Sequence, residues 1–117
     1  MPERAPLRSS AEFRMVYSNG RRYDGRLISV FILSNGMAQH RIGITASRKM
    51  SLKAVGRNRA KRLIRETFRM SQAELDVLQR RYDWVINARR SLLSVKVTLV
   101  LEEFRRIVAQ VKSDELH

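Results

Sequence analysis

Residues 55–69 read VGRNRAKRLIRETFR and have the periodicity of an amphipathic helix. At about 100° per residue, the basic residues and one asparagine gather within an arc of roughly 140°. That arc holds Arg57, Asn58, Lys61, Arg62, Arg65 and Arg69. The opposite side is small or apolar and includes Leu63 and Ile64. We therefore predict a helix over residues 56–78 that packs on a core through one side and presents cations on the other.

This predicted row of cations is unfavourable for the helix itself. Basic residues four positions apart repel, and each such pair costs about 0.2–0.5 kcal/mol in an isolated helix. Four residues follow one another at this spacing: Arg57, Lys61, Arg65 and Arg69. Glu66 is the only acidic residue between Arg41 and Arg69. The alternative, a merely solvated charged surface, normally mixes both signs, so the pattern favours an external polyanion as the partner.

The charge of the whole chain points in the same direction. Its 117 residues fit one domain, and 24 lysines and arginines against 11 acidic residues give a net charge of +13. Such a charge attracts polyanions, of which nucleic acid is the first candidate and an anionic membrane surface the second. Arginine predominates over lysine, and its planar guanidinium group binds phosphate bidentately and stacks on bases.

The sequence gives little support for catalysis by the protein itself. His40 and His117 are far apart in the chain, and the acidic residues are dispersed without the spacing of metal ligands. The chain has no cysteine, which excludes disulfides and thiolate metal sites. Neither a secretory signal nor an apolar run of about 20 residues is found, so a cytoplasmic location is expected.

Helix and strand signals flank the basic stretch on both sides. Ser9 and Glu12 have the spacing of a capping box that starts a first helix, and Asn19-Gly20 would end it because both residues tolerate positive φ. The pattern predicts an extended piece at 21–23, strands at 26–34, 39–47 and 82–88, and a last helix at 97–111 with Ser94 or Thr98 as its cap.

This order of elements predicts an α+β or mixed α/β domain in which helices cover a small sheet. The strands on either side of the basic helix are candidates for parallel neighbours, because that helix can serve as the crossover between them. We expect one domain over residues 1–117, with residues 1–8 as a loose basic arm and residues 112–117 as a polar tail.

The segment 56–69, GRNRAKRLIRETFR, resembles the RNR signature of the ribonuclease P protein family. The similarity extends over nearly the whole chain. It includes Leu7-Arg8, Glu12-Phe13, Val16-Tyr17 and Gly20 around the first helix, Arg41 to Ile44 and Ser47 to Lys49 before the signature, and Trp84 to Ile86 with Ala88-Arg89 in the later strand. The departures are small: Arg48 stands where a lysine is common, and residues 50–53 form a slightly longer connection.

The resemblance implies a two-layer αβββαβα sandwich with a left-handed crossover through the RNR helix. It implies that the catalytic subunit is an RNA that removes the 5′ leader of precursor tRNA, while the protein binds both this RNA and the leader. Mg²⁺ would be bound mainly by the RNA, and neither a membrane nor a small-molecule cofactor would be involved. A ribosomal or other structural RNA-binding protein, the alternative, would share the basic helix without a role in leader removal.

The resemblance also assigns residues to two surfaces, and no residue of the protein to catalysis. The predicted contacts with the RNA subunit are Arg57, Asn58, Arg59, Lys61, Arg62, Arg65 and Arg69. The predicted leader site, in a cleft between the sheet and the first helix, consists of Phe13, Arg14, Tyr17, Phe31, Arg48 and Lys49. Burial in the core is the alternative for each of the three aromatic residues. Asn58 would contact base edges or sugar, or else hold the start of its own helix.

Overall fold

The computed structural model describes residues 6–7 and 9–116. The elements follow the order α1, β1, β2, β3, α2, α3, β4, a 3₁₀ helix and α4. Their bounds are α1 Ser10–Asn19, β1 Arg21–Asp24, β2 Ile28–Ser34, β3 Arg41–Thr45, α2 Ala54–Met70, α3 Gln72–Asp76, β4 Tyr82–Ala88, the 3₁₀ helix Arg90–Ser94 and α4 Val97–Asp114. This is the α+β class that the sequence predicts, and the last strand has the predicted bounds.

The four strands form one sheet in the order β1-β2-β4-β3. β2 pairs antiparallel with both β1 and β4, whereas β3 and β4 are parallel. The chain between β3 and β4 contains α2, so the predicted crossover between parallel strands through the basic helix is confirmed. The left-handed sense of that crossover stays a prediction from the resemblance.

One side of the sheet carries the main core. Trp84 in β4 is fully buried there and contacts Phe68 of α2 and Phe104 of α4 through ring pairs with centroids 6.5 and 5.5 Å apart. The apolar side of α2 supplies Ala60 and Ile64 to the same cluster. Burying aromatic rings of this size is the largest local source of stability. Trp84 is therefore a core residue.

The other side of the sheet is covered by α1 and by Leu7, through a small second cluster around Val16 and Val85. The predicted capping box is present, with Ser9 and Glu12 each accepting from the other's backbone N–H at 3.1 Å. α1 ends at Asn19 as predicted, but the reason is different, because Gly20 is extended with φ −87°. A Cβ on Gly20 would collide with the carbonyl oxygens of Val16 and Ile32, so the position requires close approach rather than positive φ.

Both chain ends are more ordered than predicted. Pro6 and Leu7 are not part of a loose arm, because the Leu7 N–H donates to the Ile42 carbonyl at 2.9 Å and the Leu7 side chain is buried. The rest of the predicted arm, residues 1–5 and 8, lies outside the described residues. Residues 112–114 do not form a tail, because α4 continues through them to Asp114. The Asp114 carboxylate accepts from the Tyr23 hydroxyl at 2.7 Å.

The helix predicted over 56–78 is two helices that meet at Ser71. The Ser71 hydroxyl is buried and donates to the Thr67 carbonyl at 2.8 Å, which satisfies a group at the end of α2. Neither Ser94 nor Thr98 caps α4, because that helix begins after Lys96 and a 3₁₀ helix precedes it. Across the described part of the chain, no helix combines the length and apolar character needed to cross a membrane.

Candidate nucleic-acid interface

The outward side of α2 carries cations that no described residue neutralises. Lys61, Arg62 and Arg65 make no hydrogen bond or ion pair with any of the described residues, and neither does the side chain of Asn58. Arg62, Arg65 and Asn58 are exposed, and Lys61 is half-buried. We call these four residues the cationic ridge. A single-signed row of this kind is a site for phosphate groups, each of which can accept a guanidinium fork.

Two further arginines of α2 are used inside the protein. The Arg57 Nη1 donates to the carbonyls of Ser51 and Leu52 at 3.0 and 2.9 Å. The Arg59 guanidinium donates to the carbonyls of Leu93 and Val95 at 2.9 and 3.0 Å. Both side chains therefore tie neighbouring segments to α2. Their charge remains at the surface, but fewer of their five N–H donors are available to a ligand.

Arg69 is not a free cation either. Its guanidinium is hydrogen-bonded to the carboxylate of Glu66, three residues earlier. These hydrogen bonds lower the pKa of Glu66 and raise that of Arg69. The prediction placed Arg69 in a row with Arg65, and the structure shows an exposed ion pair at that end of the row. A nucleic acid would have to compete with Glu66 there.

A second group of cations surrounds the start of α2. No acidic residue lies in the first turn of this helix and no side chain caps it, so its positive end is uncompensated. An open groove beside it is lined by Arg48, Lys49, Lys53 and Arg90 around the apolar Leu93. The structure thus places Arg48 and Lys49 beside the start of α2, and no hydrogen bond, ion pair or ring contact joins either side chain to the three predicted leader-binding aromatics within the described residues.

Those three aromatics do lie together on the side of the sheet that α1 covers, which we call the open sheet face. Phe13 packs over Gly43 of β3, where a Cβ would lie 2.5 Å from the Phe13 Cζ. The Tyr17 ring meets Phe31 of β2 edge-on, with centroids 4.8 Å apart. Phe13 and Phe31 are half-buried and Tyr17 is exposed, so each has both a packed and an accessible part. Burial and ligand contact are therefore compatible here.

A cation already lies over one of these rings. The Arg22 guanidinium is 5.2 Å from the centroid of Phe31, within the range of a cation–π contact. A base that stacked at this place would meet the guanidinium as well as the ring. Arg14, the predicted cation of α1, is exposed and has no partner in the described chain. Arg22 is a residue that sequence reasoning missed, because its position in a short strand gave no sign of Phe31 beside it.

Arg41 is basic, yet it serves the fold. It forms a bidentate pair with Asp83 at 2.8 and 2.7 Å and a further bond of 2.7 Å to Glu12. The hydrogen bonds from Arg41 to Asp83, and then to Glu12, raise the pKa of Arg41 despite partial burial. The three side chains fasten α1 to β3 and β4. The sequence could not reveal this pairing, because its members are separated by up to 71 positions.

His40 is enclosed and structural. Its Nδ1 accepts from the Tyr82 N–H and from the Trp84 indole N–H, both at 3.0 Å, and its Nε2 lies 3.1 Å from the Leu75 carbonyl. Two donors on Nδ1 require the neutral ring with the proton on Nε2. Burial lowers the pKa of His40, in keeping with that neutral form. Among residues 6–7 and 9–116, no three His, Cys, Asp or Glu side chains are grouped so that they could hold a metal ion.

The chain is similar to known proteins of one family over nearly its whole length. The chain matches the family Ribonuclease P over residues 1–112. It is 37% identical to the ribonuclease P protein component of Methylococcus capsulatus over 105 residues, which are 90% of this chain and 79% of that protein. It is 40% identical to the component from Clostridium botulinum over 85 residues, 73% of this chain and 74% of the relative.

A solved structure gives the same result. The ribonuclease P protein from Thermotoga maritima superimposes with a TM-score of 0.78 at 28% identity, covering 93% of this chain and 97% of that protein. A solved protein with the same name as these relatives thus shares the fold of this chain. On the sequence, the fold and these matches, the chain belongs to the ribonuclease P protein family and is a protein subunit of that endoribonuclease.

Proposed function

We propose that this chain binds the catalytic RNA of ribonuclease P through the cationic ridge and holds the single-stranded 5′ leader of precursor tRNA on the open sheet face. The observation that carries the proposal is the group Lys61, Arg62 and Arg65. These cations are adjacent, lack partners among the described residues, and project from a helix whose other side is packed into the core.

The ridge suits a folded RNA because it is rigid as well as charged. Ile64 and Phe68 anchor the inner side of α2, and Arg57 and Arg59 tie its first turns to neighbouring loops. The backbone of α2 is thus fixed before binding, and only the side chains of the ridge lose freedom when they meet phosphates. Binding releases the counterions of the RNA, so affinity should fall steeply as salt rises. By this proposal Arg57, Arg59 and Arg69 add charge to the interface, with part of their hydrogen bonding already used.

The open sheet face suits a single strand. Unpaired bases need flat partners, and every base can stack on an aromatic ring whatever its sequence. Phe13, Tyr17 and Phe31 offer such partners beside the exposed cations Arg14 and Arg22. Arg48 and Lys49, which line the groove next to α2, would contact RNA between the two surfaces.

The chemistry of cleavage is proposed to belong to the RNA, with Mg²⁺ held there and not on the protein. The protein would reduce the repulsion between two polyanions, the catalytic RNA and its substrate. A chain with a net charge of +13 does this by position and charge alone.

Reconstitution with the RNA subunit tests the proposal. The protein is expected to lower the Mg²⁺ concentration that half-maximal cleavage of precursor tRNA requires. The double variant Arg62→Ala/Arg65→Ala should lose most of this effect. As a control, Arg106→Ala/Lys112→Ala removes two exposed, unpartnered cations from α4 and should behave like the unmodified protein.

An unchanged Mg²⁺ requirement, with a folded protein, would contradict the proposal. Co-sedimentation with ribosomes, combined with no effect on leader removal, would instead favour a structural RNA-binding role.

A further inference from the structure

Asn87 lies near the end of β4 on the open sheet face, directly after the apolar residues Val85 and Ile86. In the sheet register it lies between Ser29 of β2 and Thr45 of β3, and it shares its side of β4 with Val85. Its side chain is half-buried. Because Phe31 is opposite Val85, Asn87 is also on the same face as the Phe31 and Tyr17 rings. An amide therefore stands beside the proposed stacking platform.

Two hydroxyl groups fix the orientation of this amide. The Tyr17 hydroxyl donates to the Asn87 Oδ1 at 2.8 Å, and the Thr45 hydroxyl donates to the same oxygen at 2.5 Å. A carbonyl oxygen has two lone pairs, so both are used. The amide nitrogen makes no hydrogen bond within the described chain and is not sealed from solvent. Asn87 thus presents two N–H donors and no acceptor.

The neighbouring polar side chains of β1 and β2 bond mainly to one another. The Ser29 hydroxyl donates to the Asp24 carboxylate at 3.0 Å and accepts from the Arg89 guanidinium at 2.8 Å. Arg89 and Arg22 both bond to the same carboxylate oxygen of Asp24. The other Asp24 oxygen remains an acceptor, but it lies on the edge strand β1, which β2 separates from β4. On β4, beside the Tyr17 hydroxyl, the hydrogen-bonding character is set by the Asn87 amide nitrogen.

We propose that Asn87 reads one nucleobase of the leader and selects a keto base, guanine or uracil, over an amino base, adenine or cytosine. This inference rests on the proposed leader site and specifies its ligand. Guanine O6 and uracil O4 accept hydrogen bonds, whereas the amino groups of adenine and cytosine donate them. An amino group would face the donors of Asn87 and remain unpaired, which disfavours its binding.

Tyr17 gains a second role in this arrangement. Its ring edge meets Phe31, and its hydroxyl holds Asn87. Tyr17 is thus a positioning residue for the amide as well as a surface for stacking. Thr45 acts only through its hydroxyl, which makes it the cleaner position for testing the orientation of Asn87.

The experiment uses the reconstituted enzyme and precursor tRNAs whose leaders are randomised. Competitive cleavage gives the relative kcat/KM of each base at each leader position. We expect one position at which guanine and uracil exceed adenine and cytosine by about threefold to tenfold, the value of one net hydrogen bond. Asn87→Ala should abolish this preference, and Asn87→Asp, which presents an acceptor, should shift it towards adenine and cytosine.

Matched variants separate orientation from folding. Thr45→Val should weaken the preference by releasing the amide, while Gln110→Ala, which removes an exposed amide from α4, should leave it unchanged. Thermal unfolding of each variant checks the fold. A base preference that Asn87→Asp leaves as it was, or an equal loss for all four bases in Asn87→Ala, would overturn the inference while the proposed function stands. If the unmodified protein did not stimulate the cleavage of any substrate, the proposed function itself would be wrong.

Discussion

The cationic ridge and the open sheet face treat charge in opposite ways. On the ridge, Lys61, Arg62 and Arg65 are single-signed and unpaired within the described chain. On the sheet face, the charged residues of the strands are paired, as in Arg41 with Asp83, although Arg14 of α1 is unpaired within the described chain. An unpaired row attracts any polyanion over a distance of about a Debye length, roughly 8–10 Å at physiological salt. A matched surface leaves recognition to stacking and directed hydrogen bonds.

The most direct test of this comparison replaces one arginine of each surface by alanine. Arg41→Ala should lower the free energy of unfolding by about 3 kcal/mol, because it leaves the buried Asp83 carboxylate without its partner. Arg62→Ala should change it by less than about 0.5 kcal/mol, as expected for an exposed side chain. Urea denaturation measures both. Equal stabilities for the two variants would show that Arg41 does not fasten α1 to the sheet.

The next effect concerns RNA affinity and its dependence on salt. Arg62→Ala/Arg65→Ala should weaken binding of the catalytic RNA by about 30-fold or more, if each arginine makes one charged hydrogen bond. The slope of log affinity against log salt should decrease by about two, one for each phosphate contact. Filter binding between low and physiological salt gives both quantities, with Arg106→Ala/Lys112→Ala as the charge-matched control. A slope that did not change would remove the ridge from the RNA interface.

A smaller and more selective effect is expected at Phe13. Loss of one stacking partner costs about 1–3 kcal/mol, so Phe13→Ala should weaken the binding of precursor tRNA by roughly tenfold. Mature tRNA, which has no leader, should bind as before. Fluorescence titrations of the two RNAs with the reconstituted enzyme test this. If the binding of both RNAs weakened equally, Phe13 would not belong to the leader site. A large loss of thermal stability would assign Phe13 mainly to packing on Gly43.

The smallest expected effect is a dependence of stability on pH. Burial lowers the pKa of His40, the charge of Arg81 lowers this pKa further, and the charge of Asp76 raises it. The folded protein therefore binds this proton less readily than the unfolded chain, and the free energy of unfolding should fall as the pH drops below about 6.5. Urea denaturation at several pH values measures this trend.

His40→Asn provides the control, because its Oδ1 can replace Nδ1 as acceptor for Tyr82 and Trp84 without titrating near neutral pH. This variant should be less stable at neutral pH but should lack the histidine contribution to the pH dependence. An identical pH dependence in both proteins would assign the effect to other groups.

The helices and strands were largely readable because local patterns decide them. The capping box at Ser9 and Glu12 and the strand over Tyr82–Ala88 depend on patterns of a few residues, and both predictions are confirmed, although both faces of that strand are largely buried. The break at Ser71 was missed, since nothing in the sequence marks a hydroxyl that is buried and bonded to the preceding turn. The last turn of α4 was missed because its polar residues find partners on β1, far away in sequence.

By itself, the sequence determined the net charge of +13, the amphipathic period of α2 and hence which side of that helix faces outward. These follow from composition and from a repeat of 3.6 residues, which the chain carries in any context. Which cations stay unpaired, and which amide presents free N–H donors on the sheet face, depended on the folded arrangement of the chain. Arg59 is held by carbonyls more than 30 positions away, and Asn87 is oriented by hydroxyls from α1 and β3. Hydrogen bonds depend on distance and direction in space, and distant segments acquire these only when the chain folds.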